Sequence, residues 1–335
     1  MKSLCQSSDI STVDQITVDS PHFMTVVNNI MTCMVTEYVT CWKDMNGRSP
    51  GKTCRESIYF IKQTRKHPWN TLPYNAKGGG CGGSMRAMSI GLRFMNHLDL
   101  LIAIAIESGR LTHNHSVGFM GALLSALFTS FAIKKINPKL WGYLFMNQIL
   151  PKCKYYLKEI SKRDWKVISE DLKSFEDKFI KYLKERGIAE FSENAALKGN
   201  SNSSELDNHA MQFPSKYGVK ERDAFYKSYS HSGWAGSSGD DSIIVAYDAL
   251  LSSIEFSKKN SSSIYEQVLL RGALHGGDSD TTGAISMSWY GALYGFKTEE
   301  QALKQFKLHY EHVEKRKELL HYSTCLYSVS CSKGY

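Results

Sequence analysis

The segment HGGDSDTTG, residues 275–283, concentrates side chains that can do chemistry. Asp278 and Asp280 alternate with Ser279, which in an extended loop turns both carboxylates to one side, and Thr281 adds a hydroxyl within reach. Hard oxygen donors of this kind suit Mg²⁺, Mn²⁺ or Ca²⁺ and not zinc. An isolated Asp-x-Asp-Thr ahead of a helix is most often a cap. The preceding glycine pair and the run of small residues that follows favour a metal site made of Asp278, Asp280 and Thr281.

Two glycine-rich stretches could serve a ligand. KGGGCGGSMRAM (77–88) sets five glycines around Cys81 at the head of a helical pattern. Close backbone N–H groups and a helix N-terminus suit a phosphate, and a flexible turn explains the stretch equally well. It is not the dinucleotide fingerprint, because Met85 stands where a third glycine belongs. In SHSGWAGSSGDDS (230–242), Ser232, Ser237 and Ser238 can donate to phosphate or ribose oxygens, and Trp234 could wall a flat ligand. For Asp240 and Asp241 alone, capping of the following helix is the stronger reading. GRSPGKT (47–53) has three residues between its glycines where a P-loop has four, and no apolar strand precedes it. His113 and His115 are two apart, which does not bring both to one helix face, so hydrogen bonding at a helix junction is expected of them.

The elements that must position these residues read as helices. Helical periodicity marks 23–42, 84–94, 98–111, 117–135, 140–160, 169–187, 242–253 and 284–296, while β alternation is scarce and prolines number seven. This predicts an all-α chain, residues 1–335 forming one domain, with chemistry on the glycine-rich joints. The segment 198–210 reads as a polar, mobile loop.

Composition narrows the partners. The net charge is +8, and 152–186 holds eleven basic and seven acidic residues in alternation with apolar ones, the pattern of amphipathic helices rather than of a nucleic-acid surface. Eight cysteines lie at 5, 33, 41, 54, 81, 153, 325 and 331 without a CxxC pair. With no secretory segment after Met1, reduced thiols and a cytoplasmic location are expected. The uncharged run 117–133 is at the short limit for a membrane span. Its small residues Gly118, Gly121, Ala122 and Ala126 favour a buried core helix and no membrane role.

Taken together, GGGCGGSMRAMSIGLRF, ESGRLTHNHSVGFMGALLSALF, GVKERDAFYKSYSHSGWAGSSG and HGGDSDTTG resemble the ADP-ribosylarginine hydrolases, relatives of dinitrogenase-reductase-activating glycohydrolase. The resemblance runs in order from about residue 38 to residue 295. It implies an orthogonal helical bundle with a cleft for two Mg²⁺ ions, and hydrolysis of the N-glycosidic bond between ADP-ribose and a modified arginine. Carried over by motif, Asp278, Asp280 and Thr281 are metal ligands. Gly79, Gly80 and Gly82 form one substrate loop, and Ser232, Gly233, Trp234, Ser238 and Gly239 form the other. A side chain at Gly82 is expected to stand where a phosphate approaches. The implied partners are ADP-ribose and ADP-ribosylated proteins, met by a monomer.

Two departures qualify this. Family members carry an N-terminal Ser-Asp-Asp-Thr motif that supplies further metal ligands and the catalytic acids. It should fall near residues 5 to 8, where this chain reads CQSS, and Asp9, Asp14 and Asp19 are isolated. The segment that carries the motif is therefore expected to be missing. Two carboxylates are a poor counterweight to a charge of +4, so at most one weak Mg²⁺ site and little turnover are expected, with ADP-ribose binding alone as the alternative. Asp240 stands where arginine-specific members have His.

Overall fold

The computed structural model describes residues 2–6, 16–63, 68–191, 206, 209–295 and 312–331. Among them are 14 α-helices and no strand. The chain opens with α1 (Lys2–Gln6), α2 (Phe23–Cys41) and α3 (Lys52–Gln63). A 3-10 helix, Cys81–Arg86, leads into α4 (Met88–Arg93), α5 (Leu98–Arg110) and α6 (Ser116–Ile133). Then come α7 (Trp141–Leu144), α8 (Leu150–Tyr155) and α9 (Trp165–Glu185). The C-terminal part holds α10 (Val219–Tyr229), α11 (Gly239–Asn260), α12 (Ile264–Gly272), α13 (Ser279–Tyr294) and α14 (Arg316–Cys331).

The bundle is organised around α6. This is the apolar run that could be long enough to cross a membrane, yet 89% of it is buried inside the protein. The 3-10 helix, α4, α5, α9, α11 and α13 all pack on it. Hydrophobic on every side, such a helix is stable in water only when enclosed. Phe128 meets Trp141, Tyr247 and Trp289 with ring centroids 5.3, 5.1 and 5.4 Å away. The Trp289 indole N–H donates to Ser125 O at 3.2 Å and the Trp141 indole to Ile136 O at 2.9 Å, so neither buried ring leaves its polar atom unpaired. One apolar core runs from Leu4 to Leu326.

Three of the departures from the expected helices have a local reason. The stretch 84–94 begins as a 3-10 turn at Cys81 before α4, because glycines do not favour a full α turn. The run 140–160 is helical, but Phe145–Ile149 and Tyr156–Ser161 are π-helical. Pro151 lacks an N–H and crowds the carbonyl four residues back, so the turn ahead of it widens. The helix expected at 284–296 starts earlier, at Ser279, and therefore includes Asp280 and Thr281. Apart from 206, 209 and 210, the loop expected at 198–210 lies outside the described residues.

Candidate functional site

Three helix starts converge. Gly80 precedes the 3-10 helix, Ser238 is the N-cap of α11, and Asp278 is the N-cap of α13. Gly80 and Ser238 form an antiparallel bridge, in which Cys81 N donates to Ser237 O at 3.0 Å and Gly239 N to Gly79 O at 2.9 Å. Asp278 N donates to Ala235 O at 2.8 Å, tying the third loop to the second. The Cys81 thiol donates to Asp278 Oδ2 at 3.2 Å and lies 3.6 Å from Thr281 Oγ1, which closes the triangle. Each helix start carries unpaired N–H groups and positive potential, so their convergence suits an anion.

The close approach depends on α6. A Cβ on Gly118 would strike Gly78 O, and one on Gly121 would strike Gly239, so the two glycine-rich loops rest directly on the α6 backbone. The small residues that mark α6 as a packed core helix are thus also the floor of the site.

At the third loop the capping explanation fails for Asp278. It occupies the N-cap, but its side chain makes no capping hydrogen bond. Its carboxylate instead faces Cys81 and Asp280, and burial followed by the Asp280 contact raises its pKa. Asp280, exposed, is held below the usual carboxylate range by that same contact with Asp278. The segment is not extended, as the sequence reading supposed, but the two carboxylates still meet. Asp278, Asp280 and the buried Thr281 hydroxyl form a hard oxygen set that suits one Mg²⁺-class cation. Among the described residues no group of three or more His, Cys, Asp or Glu is gathered for a metal.

At the second loop the capping reading holds. Ser238 N donates to Asp241 Oδ1 at 2.7 Å, as in a capping box. Asp241 is fully buried with Oδ2 unpaired, and burial, then the charge of Asp240, pushes its pKa up to about 6. Asp240 accepts from Ser238 Oγ at 2.5 Å and from Lys178 Nζ of α9 at 2.8 Å. The outer limb of this loop, with Ser232, Gly233 and Trp234, is not drawn into the triangle. Ser232 is exposed, Gly233 has φ +81°, and Trp234 is 57% exposed beside the site.

His113 lies under the first loop. A Cβ at Gly82 would stand 2.5 Å from His113 Cε1, so the free face of this glycine is taken up by the imidazole. His113 pairs through Nδ1 with Thr112 Oγ1 at 2.7 Å, and burial, then the nearby Arg86 charge, drives its pKa down to about 3. His115 Nδ1 accepts from Val117 N at 3.1 Å and caps α6. Both histidines act at the helix junction, as their spacing suggested.

Sequence reasoning missed the residues that brace the loops. Buried Arg222 of α10 donates to Leu270 O at 2.8 Å and Leu274 O at 2.9 Å, while Asp223 accepts from Gly276 N at 3.3 Å. His275 Nε2 lies 2.7 Å from Thr282 Oγ1, which donates to Gly272 O at 2.6 Å. Together they fix the path into Asp278. The adjacent opposite charges of Arg222 and Asp223 in GVKERDAFY were the available signal. On the N-terminal side, α1 packs on α2 and α14, and Asp19 accepts from Tyr155 OH at 3.0 Å. Residues 7–8, Asp9 and Asp14 lie outside the described residues.

Residues 13–321 match the family model of the ADP-ribosylglycohydrolases. The chain is 43% identical over 269 residues to the ADP-ribosylhydrolase ARH1 of Dictyostelium discoideum, covering 77% of this chain and 65% of that protein. It is 30% identical over 265 residues to "Putative ADP-ribosyl glycohydrolase L444" of Acanthamoeba polyphaga mimivirus, covering 78% of this chain and 46% of that protein. The match thus spans less than two-thirds of either relative.

Proposed function

This chain belongs to the ADP-ribosylglycohydrolase family, and from that premise we propose that it hydrolyses the N-glycosidic bond joining ADP-ribose to arginine in modified proteins. The observation that carries the reading is the convergence of three helix starts on one point, with an uncapped carboxylate, Asp278, at its edge. In this reading the loops around Gly79–Gly82 and Ser238–Gly239 receive the diphosphate, where N-terminal helix potential favours negative charge. Trp234 walls a flat part of the ligand, and Ser232 and Ser238 orient it through their hydroxyls.

Asp278, Asp280 and Thr281 would hold a Mg²⁺ ion. Such an ion would supply positive charge to the substrate. The two carboxylates meet with their charges mutually opposed, which a cation relieves. Free thiols at Cys33, Cys41, Cys54, Cys81, Cys153 and Cys325 support a reducing, cytoplasmic setting, and a monomer acting on ADP-ribosylated proteins completes the proposal.

A second reading, ADP-ribose binding without turnover, is supported by Asp19. This described acid of the N-terminal stretch is bonded to Tyr155 at a cavity of about 340 Å³ lined by Val18, Asp99 and Tyr156, none of which belongs to the three loops. Release of labelled ADP-ribose from an ADP-ribosylated arginine substrate, with and without Mg²⁺, separates the two. Mg²⁺-dependent release supports hydrolysis. Tight ADP-ribose binding without release by the folded chain supports the second reading, and no binding at all defeats both.

A further inference from the structure

Arg86 touches more of the site than any motif suggested. Its Nε donates to Tyr38 OH at 3.0 Å, Nη1 to Gly82 O at 2.5 Å, and Nη2 to Ser108 O at 2.9 Å and to Thr112 Oγ1 at 2.6 Å. A guanidinium has donors only, so the Thr112 oxygen accepts from it. The threonine hydroxyl then has one hydrogen to place. Among the described residues His113 Nδ1, 2.7 Å away, is the acceptor open to it. Nδ1 therefore carries no proton. A neutral imidazole with a bare Nδ1 bears its proton on Nε2.

Nε2 points at the glycine loop. It lies 3.3 Å and 3.0 Å from the places a Cβ would take on Gly80 and Gly82, and has no hydrogen-bond partner among the described residues. His113 is itself only 5% exposed. We infer that Arg86 is a positioning residue that, through the Thr112 hydroxyl, locks His113 in the Nε2–H tautomer and so presents a fixed donor to the first substrate loop. The same guanidinium holds Gly82 O, so loop and donor share one anchor. Burial and the Arg86 charge keep the ring neutral, and its donor character does not change across physiological pH. The tautomer stands on the hydrogen-bond chain alone, while its use by a ligand rests on the proposed ADP-ribose reading.

The test uses the full chain labelled with ¹⁵N in its histidine rings, with His113 assigned from a His113→Gln variant. Long-range ¹H–¹⁵N correlation without ligand should show His113 protonated at Nε2 and bare at Nδ1 from pH 5 to 8. Thr112→Val should lose the fixed tautomer with the melting curve still cooperative, and Thr112→Ser should keep it. Calorimetry with ADP-ribose should show affinity lowered about tenfold in Thr112→Val and within about twofold of the unmodified chain in Thr112→Ser. A ring protonated at Nδ1 in the unmodified chain, or an Nε2–H ring undisturbed in folded Thr112→Val, overturns the inference. The expected tautomer without ADP-ribose binding supports the inference and removes the ligand reading instead.

Discussion

Cys81 and Asp278 are 197 residues apart and joined by a hydrogen bond from thiol to carboxylate. The contact makes the first glycine-rich loop and the candidate metal loop one unit. It also places a thiol where its ionised form is unwelcome: burial, then the Asp278 charge, pushes Cys81 up to about 12.

Alkylation should therefore pass Cys81 by. At pH 7.5 iodoacetamide should modify it about a hundredfold or more slowly than exposed Cys41, because the thiolate is the reacting form. Peptide mass spectrometry over time reads both sites in one sample. Equal rates would mean that the thiol is not held against Asp278.

Gly82→Ala should destabilise the fold by about 1–3 kcal/mol, since its Cβ would meet His113 Cε1 at 2.5 Å. Adding His113→Ala should recover part of that loss. Urea unfolding of the two single variants and the double variant gives the coupling, and strictly additive losses would place the strain elsewhere.

Asp241 ties stability to pH. Its folded pKa is about 6 against 3.8 for the free group, so the folded state holds the proton more tightly. The resulting stabilisation is complete below pH 4 and is lost as pH rises through 6, up to about 3 kcal/mol. Asp241→Asn keeps an oxygen for Ser238 N and cannot ionise. Its melting temperature relative to the unmodified chain should rise between pH 4.5 and 7.5, whereas a constant difference would contradict the assignment.

Arg222→Met should lower stability by about 2–4 kcal/mol, because it leaves Leu270 O and Leu274 O without their buried donor. Hydrogen exchange should then quicken first along 270–278. Protection unchanged there would show that α10 does not brace the loop.

Trp234→Ala should separate binding from folding. With its ring 57% exposed, the unfolding free energy should change by less than about 0.5 kcal/mol. ADP-ribose at about 100 times its dissociation constant should raise the stability of the unmodified chain by about 2.7 kcal/mol, and the variant by less at the same concentration. An equal thermal shift in both would remove Trp234 from the ligand's surroundings.

Much of this was legible in the sequence where a physical signal is local. Periodicity gave the helices around α6, and the small residues Gly118 and Gly121 announced close packing. That the side chains of Asp278, Asp280 and Thr281 meet was legible from their adjacency. The start of α13 was harder: the reading put Asp278 and Asp280 in an extended loop, whereas the helix already begins at Ser279. Harder still were Arg86, Thr112 and Arg222, whose roles exist only through carbonyls and hydroxyls that the fold brings to them. The expectation for Gly82 shows the same limit. A glycine announces that a side chain has no room, but not what fills the space, and here it is His113.

The placement of both glycine-rich loops on the α6 backbone has a consequence for how this protein can vary. Their floor is main chain, so a side chain gained at Gly118 or Gly121 would lift the loops off α6 rather than line them. Drift in the packing of α4, α5 or α11 against α6 would tilt the loops as rigid flaps without touching them. Their geometry is calibrated by the core, and heritable change in it would begin at buried residues such as Ala122 and Ala126.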